Sequence, residues 1–166
     1  MPESLLNFED FIICVDPKDQ GFALETHEYM LQNGCKLKMT SAKNGYVVSY
    51  QHGKKKRVIM NFVFRKSGLV TRIYGDFVGL YPDYLEALPE KMMKSIEKAP
   101  GCKRFESPPR CSEKCSGYVF TIKESQHAKC RYNCFMFEVD DESKPYILEF
   151  LEKELEMRNS EFGIRN

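Results

Sequence analysis

The chain has no long apolar run of the kind that carries a protein into or through a membrane. No stretch of its 166 residues approaches the roughly 18 consecutive apolar residues expected of a membrane-spanning helix. Residues Met1 to Ser4 carry no positive charge ahead of an apolar segment, and no Asn-x-Ser/Thr glycosylation acceptor occurs. These absences predict an unsecreted, cytoplasmic protein with no membrane partner.

The chain also has no excess of either charge sign. It contains 25 Lys and Arg residues and 24 Asp and Glu residues, which gives a formal net charge of +1. Such a balance creates no overall field that would draw the protein onto nucleic acid. Nucleic acid is therefore not expected as a partner, and any basic binding surface has to be local.

The common fingerprints of nucleotide-binding proteins and hydrolases are missing, including G-x-G-x-x-G, the P-loop, G-x-S-x-G and H-E-x-x-H. His27 and His52 have no carboxylate or nucleophile at a useful spacing, so each is predicted to be a surface residue. Asp76 and Asp140 follow predicted strands, where carboxylates commonly cap the next helix. No catalytic residue is predicted, and a binding protein is favoured over an enzyme.

The composition supports one domain with one core. With 42% apolar and 13% aromatic residues, a chain of this length can bury one substantial core but not two. We predict a single α+β domain over residues 1–158, containing a Cys-rich segment at 102–134, and a frayed tail over 159–166.

Apolar spacing of 3.6 residues predicts helices near both ends of the chain and one near its middle. Pro89 has to separate a short turn from the middle helix, because proline inside a helix removes a hydrogen bond and clashes with the preceding turn. Asp16-Pro17 is interpreted as the stop of the first helix, and Ser4 as its N-cap. The predicted helices are Leu5 to Val15, Phe22 to Gln32, Pro89 to Ala99 and Ser143 to Arg158.

Between the second and third helices the apolar period changes to 2, which indicates strands. Four short runs within Cys35 to Tyr74 are separated by Gly-containing turns, and this pattern predicts an antiparallel meander. Gly117 to Ile122 and Ala128 to Val139 predict a second hairpin. The predicted fold class is therefore α+β, with antiparallel sheet from two hairpin groups packed with helices.

The two halves of the chain share a short echo. Phe62-Val63-Phe64 and Tyr118-Val119-Phe120 each begin a strand, strand, helix sequence. In element order alone, this layout is similar to small α+β ligand-binding modules of the GyrI-like kind. The resemblance implies a small-molecule cleft between the two units, although a shared layout does not transfer function.

Five of the seven cysteines lie between Cys102 and Cys134. They include two C-x3-C pairs about fifteen residues apart, a spacing close to that by which two loops hold one tetrahedral metal ion. The odd number of cysteines argues against a secreted disulfide framework. We therefore predict a structural zinc ion.

The choice of zinc ligands depends on the second hairpin. If Ala128 to Val139 is one strand, Cys130 and Cys134 lie about 13 Å apart, whereas two thiolates on one zinc lie within about 4 Å of each other. Cys134 is therefore assigned to the core, and His127 is kept as a reserve ligand. The predicted zinc ligands are Cys102, Cys111, Cys115 and Cys130. Unmetallated thiols and a redox or iron-sulfur role stay open as alternatives.

Three classes of function remain open. The favoured one is a zinc-stabilised module that binds a small molecule. The second is an interaction module that uses the basic hairpin tip Lys54 to Arg57 on nucleic acid or an acidic partner. The third is an enzyme or redox protein that uses a low-pKa thiolate from the cysteine cluster. The sequence favours no particular oligomeric state.

Overall fold

The computed structural model describes residues 6–115, 117–130 and 134–160. It confirms the predicted α+β class. The helices in these ranges are α1 (Phe8–Cys14), α2 (Pro17–Gln32), α3 (Pro82–Glu86), α4 (Glu90–Lys98) and α5 (Lys144–Asn159). The strands are β1 (Lys36–Ala42), β2 (Gly45–His52), β3 (Arg57–Arg65), β4 (Gly68–Ile73), β5 (Val119–Ile122), β6 (Ser125–Ala128) and β7 (Phe135–Glu138). No helix within these ranges is long and apolar enough to cross a membrane.

The predicted four-stranded meander is confirmed, and a fifth strand completes its sheet. The strand order is β1-β2-β3-β4-β7, and every neighbouring pair is antiparallel. Strand β7 pairs with the free edge of β4, from Val70 opposite Glu138 to Ile73 opposite Phe135. Strands β5 and β6 form a separate two-stranded sheet.

The prediction that Ala128 to Val139 forms one continuous strand is wrong. Strand β6 ends at Ala128, and β7 begins only at Phe135 in the other sheet. The turn at Lys123 and Glu124, both with positive φ, closes β5 onto β6 early, and the edge of β4 then provides the ladder for β7. Residues 131–133 lie outside the described residues.

Two helix starts differ from the prediction. Helix α1 is capped by Asn7, whose side chain accepts from the Asp10 N–H at 3.1 Å while the Asp10 carboxylate accepts from the Asn7 N–H at 3.0 Å; Ser4 lies outside the described residues. Helix α2 begins at Pro17, with Asp16 as its N-cap. Asp16-Pro17 therefore ends α1 and also starts α2, because proline fits the first position of a helix.

Helices α1, α2 and α5 cover one face of the five-stranded sheet. The rings of Phe11 and Phe22 pack against Phe62, and Phe150 packs against Phe135 and Phe137. Alternate residues of the same strands point to the opposite side, which we call the outer face. It is formed by Lys36, Lys38, Thr40, Val47, Ser49, Gln51, Asn61, Val63, Arg65, Val70, Arg72, Met136 and Glu138. Helix α4 borders this face along β7.

Candidate functional site

A groove of about 670 Å³ lies between α4 and the part of the outer face that β4 and β7 form. Its volume is within the range of roughly 300–1,000 Å³ that is typical of small-molecule sites. Lys91, Lys94, Ser95 and Lys98 form the helix wall. The groove is therefore a candidate ligand site.

Helix α4 presents a charged wall because its apolar residues are used elsewhere. Met92 and Ile96 are buried in the core, and the helical period leaves the residues of the opposite stripe facing the groove. Glu90 and Lys94, one turn apart, form an ion pair at 2.9 Å that stabilises the helix. Pro89 precedes the first helical residue, as the sequence predicted.

The floor of the groove is apolar. Val70 lies opposite Glu138 in the sheet, and Met136 lies opposite Arg72. Val70 is buried, whereas Met136 leaves 39% of its surface exposed. A methionine side chain adapts readily to different ligand shapes, because it is unbranched and polarizable. The floor can therefore accept the apolar part of a ligand.

The charges along the rim are partly neutralised within the protein. The ammonium of Lys91 lies 3.1 Å from the Glu138 carboxylate and also contacts Asp140. Hydrogen bonds to Asp140 and then to Glu138 raise the pKa of Lys91. Within the described ranges, Arg65 and Lys98 form no ion pair with a carboxylate. These two cations are therefore the ones that an anionic ligand could neutralise.

A second polar cluster is buried inside the fold, at the carboxylate of Glu154. This side chain is fully buried; it accepts from the Phe77 N–H at 2.9 Å and from the Tyr81 O–H at 2.5 Å. Arg158 lies 3.4 Å away. Burial raises the pKa of Glu154, although Arg158 and the two donors oppose this effect.

The cluster continues through Arg158 to the end of β4. Arg158 donates to the Tyr74 carbonyl at 2.9 Å and lies 3.4 Å from Asp76, which also accepts two hydrogen bonds from Arg57. The prediction that Asp76 caps a helix is therefore wrong, because it binds two arginines instead. Asp140, by contrast, accepts from the Ser143 N–H at 2.8 Å where α5 starts. The buried cluster joins β3, β4 and α5, which is a structural role.

A sequence signal for this cluster was present. Glu154 and Arg158 are one helical turn apart and lie on the same stripe of α5 as Phe150, Leu151 and Leu155. A charged pair inside an apolar stripe is rarely left unpaired, because burying a lone charge is costly. The stripe therefore indicated a buried ion pair, although it could not identify Asp76 or Tyr81 as partners.

The cysteine-rich segment shows two of the predicted zinc ligands on neighbouring segments. The Cys102 N–H donates to the Ala128 carbonyl at 2.9 Å, and the Cys130 N–H donates to the Pro100 carbonyl at 3.4 Å. Cys102 is buried, Cys111 is exposed, and Cys115 and Cys130 are intermediate. Among the residues that the structure describes, no three His, Cys, Asp or Glu side chains form a group that could hold a metal ion.

The zinc site remains a prediction. The reason for excluding Cys134 no longer holds, because the continuous strand on which it depended is interrupted. The segment also has contacts of its own: Arg104 donates to the Cys115 carbonyl at 2.9 Å, and the Phe105 ring covers Gly117. A Cβ on Gly117 would lie 2.5 Å from that ring. Gly117 also has a φ of +83°, which other residues rarely adopt, so the position favours glycine.

The histidines lie apart from the groove. The His27 Nδ1 is 2.8 Å from the Tyr50 hydroxyl, and its ring stacks on Phe8 with centroids 3.7 Å apart. His27 is therefore half-buried, as His52 also is. Burial lowers the pKa of His27 and that of His52, which lies 2.9 Å from the Asn159 side-chain oxygen. His127, the reserve ligand, stacks on Phe120.

No protein family, no curated protein and no solved structure matches this chain. The groove, the outer face and the cysteines are therefore the features of the chain that bear on function.

Proposed function

We propose that the protein is a small-molecule-binding module whose working surface is the groove between α4 and the outer face. The observation that carries this proposal is the apolar floor of Val70 and Met136 inside a charged rim. An apolar surface with a few polar groups around it is the usual composition of a ligand site.

The charges of the rim suggest the chemistry of the ligand. Lys91 is held by two carboxylates, so it forms part of the wall. Arg65 and Lys98 provide positive charge for an anionic group, while Met136 and Val70 can contact an apolar group. The ligand that fits best is a small amphipathic molecule with a carboxylate or a phosphate.

The position of the groove supports the cleft expected from the two strand-strand-helix units. Its helix wall, α4, follows β3 and β4 in the first unit. Its floor includes β7, which precedes α5 in the second unit. The groove therefore lies where elements of the two units meet.

The environments of Cys35 and Cys134 do not suit these two thiols to catalysis. Burial raises the pKa of Cys35 to about 11 and also raises the pKa of Cys134. A nucleophilic cysteine needs the opposite shift, because the thiolate is the reactive form. Neither thiol is therefore suited to nucleophilic catalysis.

The structural zinc ion belongs to this proposal in a supporting role. The bridge between Gly101 and Lys129 places Cys102 and Cys130 on adjacent segments, which supports their assignment to one ion. Cys111 and Cys115 would complete the tetrahedral set. Such an ion would hold the cysteine-rich segment and leave the groove to bind the ligand.

The test is a thermal-shift screen with a panel of amphipathic carboxylates and phosphate esters. A compound at about 100 times its Kd adds about 2.7 kcal/mol, which raises the Tm of a chain this size by roughly 5–10 °C. Met136→Glu should abolish the shift, because it places a negative charge on the floor. Leu31→Glu on α2, at a position of similar exposure, is the matched control and should keep it.

Two results would contradict the proposal. One is a panel in which no compound raises the Tm. The other is a Met136→Glu variant that responds to the active compounds as strongly as the Leu31→Glu control.

A further inference from the structure

The charges of this nearly neutral chain are strongly segregated along the sequence. Between Glu28 and Asp76 there are ten Lys and Arg residues and no Asp or Glu. The rest of the chain therefore holds all 24 acidic residues and only 15 of the 25 basic ones. Strands β1 to β4 all fall within the basic stretch. The meander is thus a basic sheet, although the net charge of the whole chain is only +1.

Four of these cations lie on the outer face. They are Lys36, Lys38, Arg65 and Arg72. Within the described ranges, none of the four forms an ion pair with a carboxylate. Glu138 is the one acidic side chain of the outer face as defined above, and it is paired with Lys91 at 3.1 Å. The outer face therefore has a positive potential that the protein itself does not neutralise.

The spacing of the cations indicates how long a partner must be to contact all of them. Lys38, Ser49, Asn61 and Arg72 lie opposite one another on successive strands and form a row across the sheet. Lys38 and Arg72 are three strand spacings apart, about 14 Å. One small anion cannot contact both ends of this row. An extended polyanion can.

An aromatic side chain lies beside this row. Tyr74 follows β4 directly, and its N–H donates to the Ile59 carbonyl of β3 at 2.9 Å, so the ladder continues to it. Because side chains alternate along a strand, the half-buried Tyr74 lies on the same side of the sheet as Arg72. An aromatic ring next to cations can stack on a nucleobase while the cations bind phosphates. The Asp and Glu side chains of an acidic peptide have no ring that could stack on Tyr74 in this way.

We propose that the outer face of β1 to β4 binds single-stranded nucleic acid. Lys36, Lys38, Arg65 and Arg72 neutralise phosphates, and Tyr74 stacks on a base. Binding of this kind tolerates different sequences, because every base has a π-face. The proposal goes beyond the small-molecule groove: Arg65 borders both surfaces, whereas Lys36 and Lys38 lie on β1, four strand spacings or about 19 Å from β7.

The experiment measures fluorescence anisotropy of a labelled oligothymidylate of about 12 nucleotides over the range from about 50 to 200 mM salt. Each phosphate contact to a single strand contributes about −0.7 to the slope of log K against log salt. Four contacts predict a slope of about −3 and a loss of affinity of roughly 50-fold over this range.

The variants separate the outer face from general charge. The double variant Lys36→Gln with Lys38→Gln should reduce the magnitude of the slope by about 1.4. The matched control is Lys103→Gln with Lys123→Gln, which removes two exposed cations outside the basic stretch and should leave the slope unchanged. Tyr74→Leu should lower the affinity about fivefold or more at an unchanged slope.

Several results would overturn the proposal. These are no binding at the lowest salt, a flat salt dependence, or equal effects of the two double variants. Competition by poly-glutamate as strong as competition by unlabelled oligothymidylate would identify an acidic polypeptide as the partner instead. An unchanged affinity of Tyr74→Leu would refute the stacking contact. The lysine variants should keep the wild-type Tm within a few degrees, because they change exposed side chains. Tyr74 is half-buried, so a thermal melt first has to show that Tyr74→Leu is folded at the temperature of the binding assay.

Discussion

The buried carboxylate of Glu154 gives the sharpest prediction about stability. In Glu154→Ala, the Phe77 N–H and the Tyr81 O–H lose their acceptor, and Arg158 loses one of its two carboxylate partners. An unsatisfied buried donor costs about 1–3 kcal/mol, and removing one partner of a buried ion pair costs about 3–5 kcal/mol. Because Asp76 still faces Arg158, we expect a total loss of about 4 kcal/mol.

The assay is reversible unfolding in urea together with a thermal melt. A loss of about 4 kcal/mol corresponds to a decrease in Tm of roughly 8–16 °C for a chain of this length. Glu154→Gln keeps the size of the side chain and an acceptor oxygen, so it should cost less than Glu154→Ala. Glu152→Ala, at an exposed position of the same helix, should change the free energy of unfolding by only about 0.5 kcal/mol. If Glu154→Ala costs no more than this control, the buried cluster does not stabilise the fold.

Three further predictions concern packing, pH and metal. Gly75→Ala should lower the free energy of unfolding by about 1–3 kcal/mol, because its Cβ would lie 2.5 Å from a Val78 methyl. Gly21→Ala in α2, with open space around its Cβ, should instead raise the free energy of unfolding by about 0.5–1 kcal/mol. Urea unfolding of both variants tests this difference. Burial lowers the pKa of His27 from its usual value of 6.5, so the unfolded state binds the proton more tightly and the free energy of unfolding falls as the pH drops below 6.5. His27→Gln should therefore reduce the decrease in Tm between about pH 7.5 and 5.5, and an unchanged decrease would refute this. Protein purified without added metal should contain about one zinc per chain, and serine at any of the four predicted ligands should lower this content; a metal-free protein with all seven thiols titratable would refute the zinc site.

Local patterns in the sequence predicted much of the fold. The alternation of Cys35 to Tyr74 and its Gly-containing turns predicted the meander, and the structure has the same four strands. Pro89 divided two helices correctly, because the effect of proline is confined to its own turn. In such segments the neighbours along the chain decide the conformation.

The pairing partner of β7 could not be predicted from local patterns in the sequence. The segment Phe135–Glu138 has the alternation of a strand whether it pairs with β6 or with β4. Its partner depends on the free edge of β4, more than 60 residues earlier in the chain. A local pattern carries no information on such distant pairing, so the predicted hairpin and the exclusion of Cys134 followed from the wrong partner.

The candidate sites divide in the same way. The groove needs α4 and β7 side by side, which only the tertiary structure shows. The basic stretch between Glu28 and Asp76 could have been found from the sequence, because it needs only the positions of the charges. The net charge gives no indication of this basic stretch, whereas the distribution of the charges along the chain does.

The most direct test of ligand binding in the groove uses protein labelled with ¹³C at the methionine methyl groups. Met136 lies on the floor of the groove, and Met30 is fully buried in the core. Titration with a compound that raises the Tm should shift the Met136 methyl resonance in proportion to saturation and leave the Met30 resonance in place. Binding that leaves the Met136 resonance unchanged would contradict the account.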